Sequence, residues 1–430
     1  MMEKLKTVAL ALLVMLSLLQ SYMLSYSYPQ PEQPVTEAEY VKTEMLGSQA
    51  TLDEMLFPDQ IVVHLGNQQH TVLYPLDRQY TEIVNTVKQR NMEGLRKNSV
   101  SALGINWEDV RMKRPGVEVR FRDGLPLSVL KRIMQIKGDV PVDNDVITRI
   151  WIFAQTDHEV RTILFTDTSN VVYEVTKADY TTKDIEERFV GPVGTQHIPY
   201  KLFQSDIYLP QKPFPMMAYT MGVSQLTVDQ LKRTFFVDPA VTRNLTERDG
   251  SEIYTDSKRG LQLKNEQHWM TYSDPVAPAT DNRIDYLGGL LTAVQFINQH
   301  GGWNGSYGVQ RVPERFLPGS QAYVFRQYFG SFPVINPRHE NIGFMKITLQ
   351  KDIVSGYERS TVSLEPKTMT SKDGSLAGGE ILDAKLEQYK KKSQIVSLFP
   401  AYRPVITDKA YDLVPMWAVE LYTGEYEFLE

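Results

Sequence analysis

The sequence predicts an α+β protein: an N-terminal transmembrane helix followed by three extracytoplasmic domains of mainly antiparallel sheet with packed helices. Three observations carry that expectation. Residues 7–24 hold no charged side chain, and no second apolar run approaches their length. Beyond them, short alternating runs such as Val117, Val119 and Phe121 outnumber segments with helical spacing. A helix followed by several such runs occurs twice, from Thr227 and from Ile284. That recurrence suits a repeated α+β module or the chance return of a common arrangement.

A helix over 7–28 would be about 33 Å long at ~1.5 Å per residue, enough for a hydrocarbon core of ~30 Å. Lys4 and Lys6 precede the run, and Tyr22, Tyr26 and Tyr28 gather at its far end. This order is inside-positive and outside-aromatic. The acidic, proline-rich continuation (Pro29, Glu32, Pro34, Glu37, Glu39, Glu44) agrees with an outside location. The competing reading is a cleaved signal peptide with its core at 8–19 and Ser25-x-Ser27 as the cleavage site. The run continues past Leu19 to Leu24 and tyrosines crowd that site, which favours retention. The expected localisation is the cell membrane, single-pass, with a cytoplasmic N-terminus and the bulk of the chain extracytoplasmic.

Ser17, Ser21 and Ser25 recur every four residues along one side of that helix, with Gln20 beside them. In lipid, small residues let helix backbones approach closely, and polar side chains bond across the interface. These four residues are a candidate contact for a partner helix. In the competing reading the hydroxyls bond back to their own helix.

The remaining chain is long enough for two or three ordinary domains. Its hydrophobic fraction of 42% and charged fraction of 23% are those of globular protein. The absence of cysteine excludes disulfides, thiolate nucleophiles, cysteine zinc sites and a lipoprotein anchor. A net charge of −6 argues against binding nucleic acid or anionic wall polymers through bulk charge. Lys390, Lys391 and Lys392 are the longest basic run and read as a solvated helix end.

The domains expected are a transmembrane anchor at 1–28, a spacer at 29–39, an N-terminal α+β domain at 40–199, a middle one at 200–278 and a C-terminal one at 279–430. A helix is already compatible with 36–45. Residues 61–65 and 71–74, with Gly66-Asn67 between them, read as a hairpin. Ile83, Val84, Val87 and Leu95 predict a helix over 80–95. A strand at 117–121 stops at Asp123-Gly124, and Pro126 lies in the first turn of a helix over 126–136. Strands are expected at 147–153, 160–165 and 171–175. Prolines between 192 and 215 mark the first boundary. Runs at 202–209 and 216–221 follow, then a helix over 228–236 opened by Thr227. Hairpin segments are expected at 241–246, 251–255, 260–263 and 268–272. The third unit opens with a helix at 284–299, ended by Gly301-Gly302. Strands at 322–329, 343–349 and 359–364, a helix at 380–391, and strands at 394–399 and 416–421 close the chain.

Spacing supplies no active site. None of the seven histidines falls in a metal-binding spacing. His64 and His70 flank the first hairpin and can approach each other, most simply as a structural pair. Ser128-Val129-Leu130-Lys131 matches the S-x-x-K nucleophile motif, but its companion elements are absent and it lies in a short amphipathic helix. Residues 301–308 are glycine-rich without a following lysine, which predicts a mobile loop. The acidic pairs Asp143/Asp145 and Glu186/Glu187 are of a kind expected by accident among 52 acids. No catalytic, cofactor-binding or metal residue and no cofactor is assigned. Surface recognition remains, and 23 tyrosines suit it, although most serve the core.

The run from Leu12 to Leu18 with its aromatic outer end is one of four segments that carry a resemblance. The others are Phe236-Val237-Asp238-Pro239, Ile253-Tyr254-Thr255-Asp256 and Leu413-Val414-Pro415-Met416-Trp417. In their order, and in total length, the chain resembles the YycH family of membrane regulators. The resemblance implies one membrane helix and three extracytoplasmic domains, the last two related to each other and to the companion YycI. It also implies association with YycI and with the sensor histidine kinase WalK (YycG), which governs cell-wall metabolism, and no catalysis. The function expected is therefore an accessory regulator acting on that kinase by protein contact. The alternative is an anchored cell-wall enzyme or ligand-binding protein whose site is assembled from distant residues.

Overall fold

The computed structural model describes residues 47–430 except 139–144, 194–196, 205, 265, 276–284, 312–319, 337–341 and 408–409, together with residues 6, 10 and 13–20. The chain divides into two units, Met1–Thr43 and Glu44–Glu430. In the first, the described residues are helical and exposed. Among the described residues no helix is long and apolar enough to cross a membrane. Most of the expected span, the spacer and the helix expected at 36–45 lie outside the described residues.

The second unit is α+β with mostly antiparallel sheets. Its first sheet has ten strands: β1 (Gln60–Gly66), β2 (Gln69–Leu73), β3 (Asn91–Ser99), β4 (Pro115–Pro126), β5 (Gln135–Lys137), β6 (Val146–Thr156), β7 (Glu159–Thr166), β8 (Val171–Ala178), β9 (Tyr200–Leu202) and β10 (Tyr208–Pro210). Their order is β10-β9-β2-β1-β4-β6-β7-β8-β3-β5. The β1–β2 hairpin forms because Asn67 and Gln68 both accept positive φ, 51° and 62°, which matches strand twist in a two-residue loop. Helices α1 (Leu52–Met55), α2 (Arg78–Gln89), α3 (Trp107–Lys113) and α4 (Leu127–Ile133) accompany this sheet. In α2 the Asp77 carboxylate accepts from the Gln79 and Tyr80 amides, and Tyr80, Ile83, Val84 and Val87 are buried.

The helix expected to reach Leu95 stops at Gln89. From Asn91 the chain pairs with β8, and Gly94 takes φ 69°, which a helix cannot hold. Sheet pairing overrides the local spacing there. Pro126 likewise stands outside α4, as its extended N-cap.

The second sheet contains β13 (Arg243–Thr246), β14 (Glu252–Thr255), β15 (Gly260–Lys264), β16 (Trp269–Ser273), β17 (Ser306–Arg311), β18 (Ser320–Phe329), β19 (Phe332–Pro333), β20 (Phe344–Gln350) and β21 (Ile353–Ser360). Its path is β13-β14-β15-β16-β21-β20-β18-β17, with β19 on β18. Helix α5 (Val228–Phe235) precedes the first four strands, and α6 (Tyr286–Gln299) precedes β17. A helix with four strands (α5, β13–β16) and a helix with five (α6, β17–β21) thus meet at their last strands, β16 and β21. These run antiparallel, with Tyr272 opposite Tyr357. Phe235 of α5 lies 4.7 Å from Tyr272 and 6.0 Å from Tyr357, ring to ring. Phe296 of α6 lies 6.2 Å and 5.7 Å from the same two rings. The arrangement is a local pseudo-twofold within one sheet.

The third sheet holds β12 (Ala218–Gln225), β22 (Val362–Lys372), β24 (Ile395–Ile406), β25 (Tyr411–Leu421) and β26 (Tyr426–Leu429). A strand pair, β11 (Phe214–Pro215) with β23 (Ser375–Leu376), lies beside it, and α7 (Gly379–Gln388) buries Leu382 and Leu386. One core runs from Leu52 to Tyr357 beneath the first two sheets, and a second lies under the third.

The glycine-rich residues 301–308 are not a mobile loop. Trp303 is buried, exchanges main-chain hydrogen bonds of 3.0 and 2.9 Å with Ser48, and donates from Nε1 to Asn298 Oδ1 at 2.8 Å. Gly302, at φ 75°, lets the strands close: a Cβ there would stand 2.7 Å from the Ser48 oxygen. The glycines serve close backbone approach, a purpose the composition alone does not distinguish from mobility.

Candidate functional site

Strand period places the site. On β1, β4 and β6, Ile61, Val63, Val117, Val119, Ile150 and Ile152 face the main core. The alternate positions, His64, Glu118, Arg120, Arg149 and Trp151, share the opposite face. Glu118 is in register with Trp151, and Arg120 with Arg149. Helix α3 brings Trp107 and Arg111 over this face, the β9–β10 connection brings Asp206, and β10 brings Tyr208.

His64 and His70 do approach each other, with Nδ1 atoms 3.0 Å apart, both buried. His64 Nε2 lies 2.9 Å from Glu118 Oε1. Glu118 Oε2 accepts from Arg120 Nε at 2.9 Å, with Arg149 Nη1 3.6 Å away. An ionised Glu118 requires the proton of His64 on Nε2, so His70 donates from Nδ1 to His64 Nδ1. Burial pushes His64 down despite Glu118. Burial, then the neighbouring His64, lowers His70 to about 4. Burial acts to raise Glu118, but Arg120, the His64 hydrogen bond and Arg149 outweigh it and hold the carboxyl well below its ordinary range. The result is one buried carboxylate, one guanidinium and two neutral imidazoles, with the rings of His70 and Tyr208 5.1 Å apart. This is the chemistry of a structural cluster: the imidazoles spend their inner nitrogens on each other.

Above the cluster opens a cleft of about 560 Å³. One wall is Trp107, Arg111, Arg149, Trp151 and Asp206; the other is β24 and β25, through Val396, Ser397, Phe399 and Glu420. Asp206 gathers three arginines. Its carboxylate pairs with Arg111 and, at 2.7 Å, with Arg149 Nη1, and its carbonyl accepts from Arg120 Nη1 at 2.7 Å. Arg149 lies over Phe165 at 4.1 Å from the ring centroid, and Arg111 over Trp151 at 5.6 Å. Deeper in, Asp59 accepts from the Arg122 amide at 2.7 Å and from the Tyr328 hydroxyl at 2.8 Å. Chemically the cleft offers planar guanidinium donors on aromatic faces, suited to oxygen anions.

Sequence reasoning did not assemble this set. Its one signal is the alternation Glu118-Val119-Arg120-Phe121-Arg122, with charge on the strand face opposite the core. Of the candidate helix-contact residues, Ser17 and Gln20 are helical and exposed, while Ser21 and Ser25 lie outside the described residues. Ser128 and Lys131 sit in α4, and Glu186 and Glu187 in the helical segment Asp184–Val190; Asp143 lies outside the described residues.

Residues 3–189 match the family described as YycH protein, N-terminal domain, and residues 204–428 match YycH protein, C-terminal domain. A relative from Bacillus subtilis (strain 168), the two-component system WalR/WalK regulatory protein YycH, is 21% identical over 97% of this chain and 94% of its own length. The crystal structure of YycH from Bacillus subtilis superposes with a TM-score of 0.69 at 17% identity, covering 90% of this chain and 99% of that one. The fold is therefore shared over nearly the whole molecule, and the chain belongs to the YycH family.

Proposed function

We propose that this protein is a membrane-anchored accessory regulator of the WalR/WalK two-component system. It modulates the cell-wall-governing sensor kinase WalK (YycG) by protein contact, together with a YycI-like partner, and is not an enzyme. The observation that carries this reading is extent: similarity to a protein named as a regulator of that system runs over 97% of the chain and 94% of the relative. The uncharged run at 7–24, lysines before it and acids after it support a single-pass anchor with the bulk of the chain outside. Purification of the full chain from membranes tests the reading. Recovery of a histidine kinase supports it. Wall-hydrolysing activity in kinase-free protein would replace it with the anchored-enzyme alternative. One observation favours the ligand-binding form of that alternative, as an added property: the arginine-lined cleft.

A further inference from the structure

Three N–H donors around the cleft have no hydrogen-bond partner although the atoms themselves are buried: Trp107 Nε1, Arg111 Nε and Trp151 Nε1. Buried donors without acceptors are rare in folded proteins, so three lining one cavity call for an acceptor that the chain does not supply. Its volume of about 560 Å³ falls in the range of small-molecule sites.

Four arginines, Arg111, Arg120, Arg122 and Arg149, line the same cavity, together with four acids, Asp59, Asp167, Asp206 and Glu420. Arg111 and Arg149 converge on one carboxylate, Asp206, while aromatic faces hold them. The planar fork of a guanidinium fits carboxylate and phosphate oxygens in pairs. Asp206 itself is the weak member of the set. Its side chain is 41% exposed, against 16% for Arg111 and 18% for Arg149. An exposed carboxylate gains little from such a pair, because water and salt compete for it. Of the other acids of the lining, Asp59 is already engaged with Arg122 and Tyr328.

We propose that this cleft binds a small molecule through an anionic oxygen group, a carboxylate or a phosphate, held by Arg149, Arg111 and the two indole N–H groups. Asp206 is the internal competitor for that group. The incoming anion takes its place between the guanidiniums, and the unpartnered donors acquire acceptors. This goes beyond kinase contact and does not depend on it.

Isothermal titration calorimetry of the full chain in detergent, at constant ionic strength, tests the proposal with inorganic phosphate and glutarate as probes and chloride as control. At least one probe saturates where chloride does not. Phosphate alone marks a phosphoryl-bearing ligand, glutarate alone a carboxylate-bearing one, and both a site that accepts either. Asp206→Asn frees the guanidiniums and tightens binding on the order of tenfold, as removal of a competing state requires. Arg149→Gln abolishes it. Should Arg149→Gln lose its cooperative melt, Trp107→Phe, which keeps a ring and removes one donor, decides instead and weakens binding severalfold. No saturation by either probe in the parent and in Asp206→Asn overturns the proposal. So does an Asp206→Asn affinity no tighter than the parent's, or a Trp107→Phe affinity equal to it.

Discussion

The guanidinium carbon of Arg122 lies 3.4 Å from the centroid of the Phe399 ring. Arg122 belongs to the first sheet and Phe399 to the third. Asp59, which holds Arg122, also takes the hydroxyl of Tyr328 from the second. Three sheets are thus joined through one cation, one ring and one carboxylate. Arg122→Ala leaves Asp59 short of its partner in a largely buried place, and breaking such a pair costs about 3–5 kcal/mol. Denaturant unfolding of the full chain measures this; a loss under ~1 kcal/mol would show that the junction does not bind the sheets together.

The His64–His70–Glu118 cluster makes stability depend on acidity. His70 titrates at about 4 when folded, against an ordinary 6.5, so below pH 6.5 the unfolded chain takes up a proton that the folded chain refuses. Stability therefore falls as pH drops from about 6.5 toward 4, by about 2 kcal/mol from His70 alone between pH 7.5 and 5. Glu118, held low, contributes its loss only below that window. His70→Gln flattens the profile. Equal slopes in parent and variant, from unfolding midpoints across pH 5–7.5, refute this assignment.

Gly302→Ala forces a Cβ to 2.7 Å from the Ser48 oxygen at a φ of 75°. Both faults act together, and a loss of about 1–3 kcal/mol follows. Limited proteolysis reads the same event: cleavage within 301–308 is slow in the parent and fast in the variant. Rapid cleavage of the parent would restore the mobile-loop reading.

Phe235 and Phe296 meet the same tyrosine pair from two helices. Their alanine variants are accordingly non-additive, with a coupling of about 0.5–3 kcal/mol. A double-mutant cycle on the unfolding midpoint gives the value, and strict additivity would mean that the pseudo-twofold is geometric only.

In the proposed membrane anchor, Ser17→Leu with Gln20→Leu and Ser21→Leu keeps insertion and abundance but weakens co-purification of the proposed kinase partner, since the small and polar stripe is lost. The control Leu19→Ile with Met23→Leu leaves insertion, abundance and co-purification unchanged. Undiminished recovery of the kinase by the triple variant would move the proposed contact to residues beyond the anchor.

Much of the fold is legible because the signals are local. Alternation marks β4 and β6, Gly66-Asn67 marks the first hairpin, whose two-residue loop falls one position on at Asn67 and Gln68, and Thr227 opens α5. The failures are equally physical. Leu95 continues a helical period but belongs to a strand, because β8 offers it a ladder. The cleft was illegible for a different reason. Its arginines come from α3, β4 and β6, its competitor from the β9–β10 connection and its far wall from β24, and no spacing in one dimension encodes that meeting. His64 and His70 were found because a hairpin brings them together over six residues.

The Ser48–Trp303 pairing spans 255 residues, and Asn298 holds Ala50 across a similar gap with bonds of 3.0 and 2.8 Å. Helix α1, just beyond, packs on β17 and α6. During synthesis these partners follow by about 250 residues, a delay on the order of tens of seconds at typical elongation rates. Leu52, Met55 and Leu56 stay without their cover for that interval. The Ser48–Leu56 segment is thus seated only after Trp303 has emerged, and a chain truncated before Trp303 leaves Leu52, Met55 and Leu56 without that cover.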